Sequence, residues 1–272
     1  MVQLQLMLRA CAGRAERVGR NQAVPSCQRR ISSLQQSTRV PCCAATKEES
    51  MRILIALAAW FATVAVTLAQ DAVKIAPDVY KVTFENDQVR VLEVTLKAGG
   101  KVPQHSHPAN VVYGLSDGKA RFTDKDGKST DVDMKVGQAT WNEAQTHSSE
   151  NAGTKELKAL VVELKDRKDQ APAAEAAKGD DPVKVASESY KVLLDNDRVR
   201  VLDIRLQKGG KVPLHSHPGY LVYALNAAKV RFTGADGKPA EIETKAGQSL
   251  WRDAEAHAVE NLGGEVHVLN FE

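Results

Sequence analysis

Arg90-Val91-Leu92-Glu93-Val94-Thr95-Leu96 alternates along the chain and sets Leu92, Val94 and Leu96 on one face of a strand. Asp126-Gly127 and Asp236-Gly237 interrupt similar strand-like runs, and Asp-Gly suits the positive φ of a tight hairpin turn. No segment from Tyr80 onward sustains a helical period. Many short strands separated by regular turns predict an all-β sandwich or small barrel.

The pattern occurs twice. Tyr80-Lys81-Val82 returns as Tyr190-Lys191-Val192, and Val89-Arg90-Val91-Leu92 as Val199-Arg200-Val201-Leu202. Arg121-Phe122-Thr123 returns as Arg231-Phe232-Thr233, all at an offset of 110 with no gap expected anywhere. One domain has been duplicated. Between the copies, residues 166–186 are rich in Ala, Pro and charge and read as a linker. Each unit of roughly 85–95 residues is small for a lone core, so packing on the other unit, or on another chain as a homo-oligomer, is expected.

The start of the chain is different. Ile53 to Ala69 is an apolar run behind Met51-Arg52, closing on Thr67-x-Ala69 before Gln70. It reads as a secretory signal peptide over 51–69, short for a span of about 20 apolar residues. Such a signal belongs at an N-terminus, so translation from Met51 is expected, with 1–50 a non-native extension. The alternative is an Arg-rich mitochondrial presequence. The predicted organisation is therefore 70–165 for the first domain, 166–186 for the linker and 187–272 for the second. Export to the periplasm or beyond follows, with no membrane span left after cleavage.

Charge changes sign with that cut. The full chain is formally +3, whereas residues after 69 hold 28 basic and 31 acidic side chains, a net −3. No basic patch suggests nucleic acid. All four cysteines, Cys11, Cys27, Cys42 and Cys43, lie before the cut, which excludes disulfides and thiolate ligands downstream.

Candidate chemistry sits on histidines. Gly99 to Pro108, with His105 and His107, returns as Gly209 to Pro218, with His215 and His217. Residues i and i+2 of a strand share a face, so each pair presents two imidazoles together, half of a metal site. His147 and His257 supply a third in each copy. Six of the seven histidines fall at these repeated positions, leaving His267.

These residues resemble the cupin superfamily. Gly99, His105 and His107, like Gly209, His215 and His217, fit its first motif, G-x5-H-x-H. Gly137, His147 and Asn151, like Gly247, His257 and Asn261, resemble its second. The resemblance implies two tandem antiparallel jelly-roll barrels, a bicupin, with three histidines per barrel binding a divalent metal. The family's glutamate ligand should lie at 111 or 112 and at 221 or 222, which here are Val111, Val112, Leu221 and Val222. Such three-histidine sites resemble those of Fe(II) dioxygenases, and Fe(II) is favoured, although Zn, Ni, Cu or Mn suit the same donors. The expected function is a metal-dependent oxygenase acting on a small organic molecule. The rival readings are a non-catalytic metal- or ligand-binding module and a structural barrel. The two sites are expected to be alike.

Other residues carry weaker expectations. Asn151 and Asn261 read as partners of the histidines or as plain strand-end hydrogen bonders. Trp141 and Trp251 read as core or interface aromatics, and Glu150 and Glu260 as solvent or edge carboxylates. Arg90 and Arg200 read as salt-bridge residues or anion captors. Spacing leaves open whether Tyr113 and Tyr223 face the pocket.

Overall fold

A computed structural model describes residues 70–165 and 179–272. The expected extension, signal peptide and upstream part of the linker lie outside the described residues. The first half contains β1 (Tyr80–Glu85), β2 (Val89–Leu96), β3 (Lys101–His107), β4 (Asn110–Gly114), β5 (Gly118–Asp124), β6 (Ser129–Met134), β7 (Ala139–Asn142), β8 (Gln145–Asn151) and β9 (Leu157–Leu164). The second repeats them as β10 (Tyr190–Asp195), β11 (Arg200–Leu206), β12 (Lys211–His217), β13 (Tyr220–Ala224), β14 (Ala228–Gly234), β15 (Pro239–Thr244), β16 (Ser249–Arg252), β17 (Glu255–Asn261) and β18 (Val266–Phe271). Each half folds into a five-stranded sheet (β1-β2-β9-β4-β7, then β10-β11-β18-β13-β16) and a four-stranded one (β3-β8-β5-β6, then β12-β17-β14-β15). The result is two jelly-roll barrels, as the alternation and turns predict. The Asp-Gly turns are in place, with Gly127 at φ 82° and Gly237 at φ 75°.

Each five-stranded sheet is buried on both faces. Leu92 and Leu96 pack inside the first barrel with Val161, while Val91, Val111, Tyr113, Leu160 and Val162 point outward. Those outward side chains meet Val201, Leu221, Tyr223, Leu269 and Phe271 in one core between the barrels. This two-sided burial explains why β9 reads Leu-Val-Val without alternation. Trp141 and Trp251 pack at the edge of the shared core, and the Tyr223 hydroxyl donates across it to Glu93 at 2.9 Å. Tyr113 and Tyr223 thus face the neighbouring barrel, and Val112 and Val222 face inward.

Two expectations need correction. The repeat does contain a gap: Leu96 pairs with Leu157, but Leu206 pairs with Val266, so the offset falls from 110 to 109 after Asn261. One residue is lost from the loop before the last strand. The downstream end of the expected linker also belongs to the second barrel. Asp181 caps the helical turn Pro182–Val185, Asp180 accepts from the Ser216 amide, and Ala186 is in the second core.

Candidate metal centres

A bulge aims the first two histidines. In the pairing of β3 with β8, Val102 lies opposite Ser149 and His105 opposite His147, so β3 carries one extra residue at Pro103-Gln104. Proline has no N–H to give the ladder and is tolerated at such a bulge. Simple alternation from buried Val102 would turn His105 outward. The extra residue reverses the parity, and Val102, His105 and His107 all point inward. The same shift lies between Val212 and His215.

The three histidines of each barrel converge. Ligating nitrogens of His105, His107 and His147 lie within 4.8 Å of one another, as do those of His215, His217 and His257. All six side chains are buried, at 7% exposure or less. Either triad could hold a metal ion.

Hydrogen bonds fix the tautomers. The Pro103 carbonyl can only accept, so His105 Nδ1 donates to it at 2.7 Å and Nε2 keeps its lone pair. The Tyr80 hydroxyl lies 3.0 Å from that Nε2 and must be the donor. His107 Nδ1 donates to Glu163 at 2.7 Å; Arg90 grips the other Glu163 oxygen at 2.6 Å and reaches Asp71 at 2.6 Å. The second barrel repeats this with Pro213, Tyr190, Glu272, Arg200 and Asp181. A carboxylate behind a histidine orients the ring and raises its donor strength. Arg90 and Arg200 are therefore salt-bridge residues that hold those carboxylates.

Burial favours the neutral, ligating form of imidazole. It lowers the pKa of His105, and with the adjacent His105 and His107 it takes His147 to about 3. His215 is lowered by burial to about 4, and His257 is lowered too. Burial lifts the Tyr80 phenol to about 12, so it stays a donor. His147 Nδ1 is buried with no hydrogen-bond partner among the described residues. Three imidazoles, two anchored through Nδ1, fit a divalent metal of intermediate softness.

Beyond the triads the barrels diverge. The first encloses a cavity of about 450 Å³ and the second one of about 70 Å³. In the first, Asn142 donates to Asn110 at 3.2 Å, with Gln145 beside them on the wall. Their counterparts are Arg252, Tyr220 and Glu255. Arg252 pairs with Glu255 through two nitrogens, Tyr220 donates to Glu255 at 2.8 Å, and the Tyr220 ring lies 4.6 Å from that of His217. Glu255 is also 3.3 Å from His257 Nδ1, but too misaligned for a hydrogen bond. Burial opposes ionisation of Glu255, yet His257, Arg252 and Tyr220 together hold its carboxyl well below the usual range. The expectation of two like sites is corrected: the histidines match and their surroundings do not.

No family model and no curated protein matches the chain. Solved structures do. A deletion mutant of Bacillus subtilis oxalate decarboxylase is 17% identical, covering 74% of this chain and 70% of that one, with a TM-score of 0.51. The fold is that of a bicupin. A cupin domain from Bordetella pertussis is 23% identical over 32% of this chain and 93% of its own, with a TM-score of 0.31. A conserved-barrel cupin from Leptotrichia buccalis is 15% identical, covering 71% and 87%, with a TM-score of 0.41. At 17% identity the likeness to the decarboxylase speaks for the fold alone.

Within the two barrels, one pair of expected site residues moves elsewhere. Asn151 donates to the carbonyls of Leu96 and Lys155, each at 2.8 Å, and accepts from the Gly153 amide. Asn261 does the same with Leu206, Gly264 and Gly263. Four residues along a strand span about 13 Å, so neither amide reaches its histidine. Both are strand-end hydrogen bonders. Glu150 and Glu260 pair with Lys101 and Lys211, as edge carboxylates should. His267 bonds Asp203, away from the triads. Tyr80, Tyr190, Glu163 and Glu272 were not anticipated. The tyrosines were visible as repeated residues, whereas the glutamates match only after the one-residue deletion is recognised.

Proposed function

We propose that the chain is an exported, metal-dependent bicupin whose first barrel is the working site, of the non-haem oxygenase type, acting on a small organic molecule. The carrying observation is that the first triad opens on about 450 Å³ while the second is closed in by Tyr220, Arg252 and Glu255. Pockets that hold small organic ligands begin near about 300 Å³. Fe(II) is the proposed ion, with Zn, Ni, Cu or Mn compatible with the same donors. A bound ion would supply Lewis acidity and, as iron, one-electron chemistry with O₂.

The chain's own part is preorganisation. Pro103 and Glu163 hold two imidazoles through Nδ1, leaving Nε2 for an ion. Tyr80 sets its hydroxyl against His105 Nε2, and an ion taking that nitrogen's lone pair would free the hydroxyl proton for a substrate oxygen. Asn110, Asn142 and Gln145 offer uncharged polar groups further out.

A second reading, a non-catalytic metal- or ligand-binding barrel, is favoured by the carboxylates. Asp124 and Asp133 stand exposed at the cavity edge, Glu150 is paired with Lys101, and Glu163 is engaged by both His107 and Arg90. Elemental analysis of untagged chain tests the shared premise: near two ions per chain is expected, and failure to take up Fe, Mn, Ni, Cu or Zn would refute it. Oxygen uptake with a panel of enols and phenols separates the two readings. Export is supported by the 51–69 signal pattern, and mature protein beginning at Gln70 is the expected result of N-terminal sequencing.

A further inference from the structure

Four matched positions in the two cavities change in the same direction. Asn110, Thr140, Asn142 and Ser149 in the first barrel stand where Tyr220, Leu250, Arg252 and Val259 stand in the second. The first set is smaller and wholly uncharged, and the second fills its barrel and brings in a cation. Deeper in the first cavity the wall carries apolar Val94, Val112, Phe122 and Leu157, with Thr130, Gln138 and Thr146 as further uncharged polar groups. Part of that wall is wet. Val132 is 41% exposed, whereas its counterpart Ile242 is packed against the second core. Apolar wall open to water beside a triad marks a place for an apolar ligand surface.

Charge narrows the class further. Lys128, Lys135, Asp124 and Asp133 border the cavity but are exposed at its edge. Arg90, near the first triad, is already held by Glu163 and Asp71. A ligand with two carboxylates would therefore bury at least one charge without a protein cation to meet it. We infer that the first barrel takes a molecule with an apolar body, a ring or short branched chain, bearing uncharged hydrogen-bonding groups and presenting one oxygen to the triad. Small dicarboxylates are discriminated against. This rests on the reading of the first barrel as the ligand-admitting one, and it adds the substrate class.

The test is a fluorescence titration of the metal-free full chain with a shape-matched pair, 2-naphthamide and 2-naphthoate, and with oxalate as competitor. The amide is expected to bind once per chain, roughly 10-fold tighter than the carboxylate, with no displacement by oxalate. Thr140→Leu with Asn142→Arg, importing the second barrel's residues, should abolish that binding while metal content stays unchanged. Asn110→Tyr alone is the milder variant should the double one fail to fold. Equal or tighter binding of the carboxylate, displacement by oxalate, or undiminished binding in the folded variants would overturn the inference. Metal uptake measured on parallel aliquots of the same preparations, after addition of Fe, Mn, Ni, Cu or Zn, separates the failures. Amide binding without metal uptake sinks the metal-site reading and sustains this one; metal uptake without amide binding sinks this one alone.

Discussion

In the first barrel His147 lines a cavity of about 450 Å³ with Asn110, Asn142 and Gln145 on its wall. In the second, His257 faces a cluster of Arg252, Glu255 and Tyr220, and about 70 Å³ remains. Both histidines sit opposite the same strand position and close onto the same two neighbours. Duplication has therefore kept the metal-ligating geometry and changed what can approach it. A histidine triad reports where an ion would bind, and only its surroundings report whether a substrate can follow.

The largest effects should come from what the barrels share. Glu163→Ala leaves Arg90 and His107 without their buried acceptor, and Glu272→Ala does the same to Arg200 and His217. Losing one partner of a buried pair costs about 3–5 kcal/mol, and losing a carboxylate behind a ligating histidine about 10–100-fold in metal affinity. Urea unfolding and metal competition should show similar losses in both variants. A large loss in one barrel alone would break the equivalence of the two networks.

Acid should separate the barrels. Burial, aided by neighbouring imidazoles, holds His147 near 3 against an ordinary 6.5, and the pKa of His257 is also lowered but with Glu255 opposing the shift. The folded pKa lies below the unfolded one, so the unfolded chain binds more protons in between. Stability without metal is complete above pH 6.5 and falls as pH drops towards about 3. Denaturation series between pH 7 and 4 should show His147→Gln flattening that decline more than His257→Gln. Equal flattening would remove Glu255 from the account.

Smaller effects sharpen the contrast. Glu255→Gln leaves Arg252 half-paired and should destabilise by about 1–2 kcal/mol, whereas Gln145→Ala, at an exposed position, should stay within about 0.5 kcal/mol. Asn151→Ala should cost about 1–3 kcal/mol through its lost backbone bonds while leaving metal content unchanged. Reduced metal content in a folded Asn151→Ala would restore it to the site.

Much of this was legible in the chain. Alternation in β2, the Asp-Gly turns and the repeated histidines each follow from local rules, and together they specify two β-barrels with a triad apiece. The shared core between barrels was less legible, because a strand buried on both faces shows no alternation. Glu163 and Glu272 were hidden by one deleted residue, which put them out of step at a fixed offset. The bulge at Pro103 was hidden as well, since the parity of His105 depends on how β3 pairs with β8. The unlike cavities were encoded at 110 and 220, 142 and 252, 145 and 255, but which of those positions face inward is decided by the closed barrel.

The most direct test of the central contrast is oxygen uptake by metal-loaded full chain carrying His147→Ala or His257→Ala, with a substrate turned over by the unaltered protein. The account predicts about one ion lost from each variant, turnover reduced by at least about 100-fold in His147→Ala, and turnover within about 3-fold of unaltered in His257→Ala. Equal loss in both, or loss confined to His257→Ala, would contradict the assignment of the first barrel as the working site.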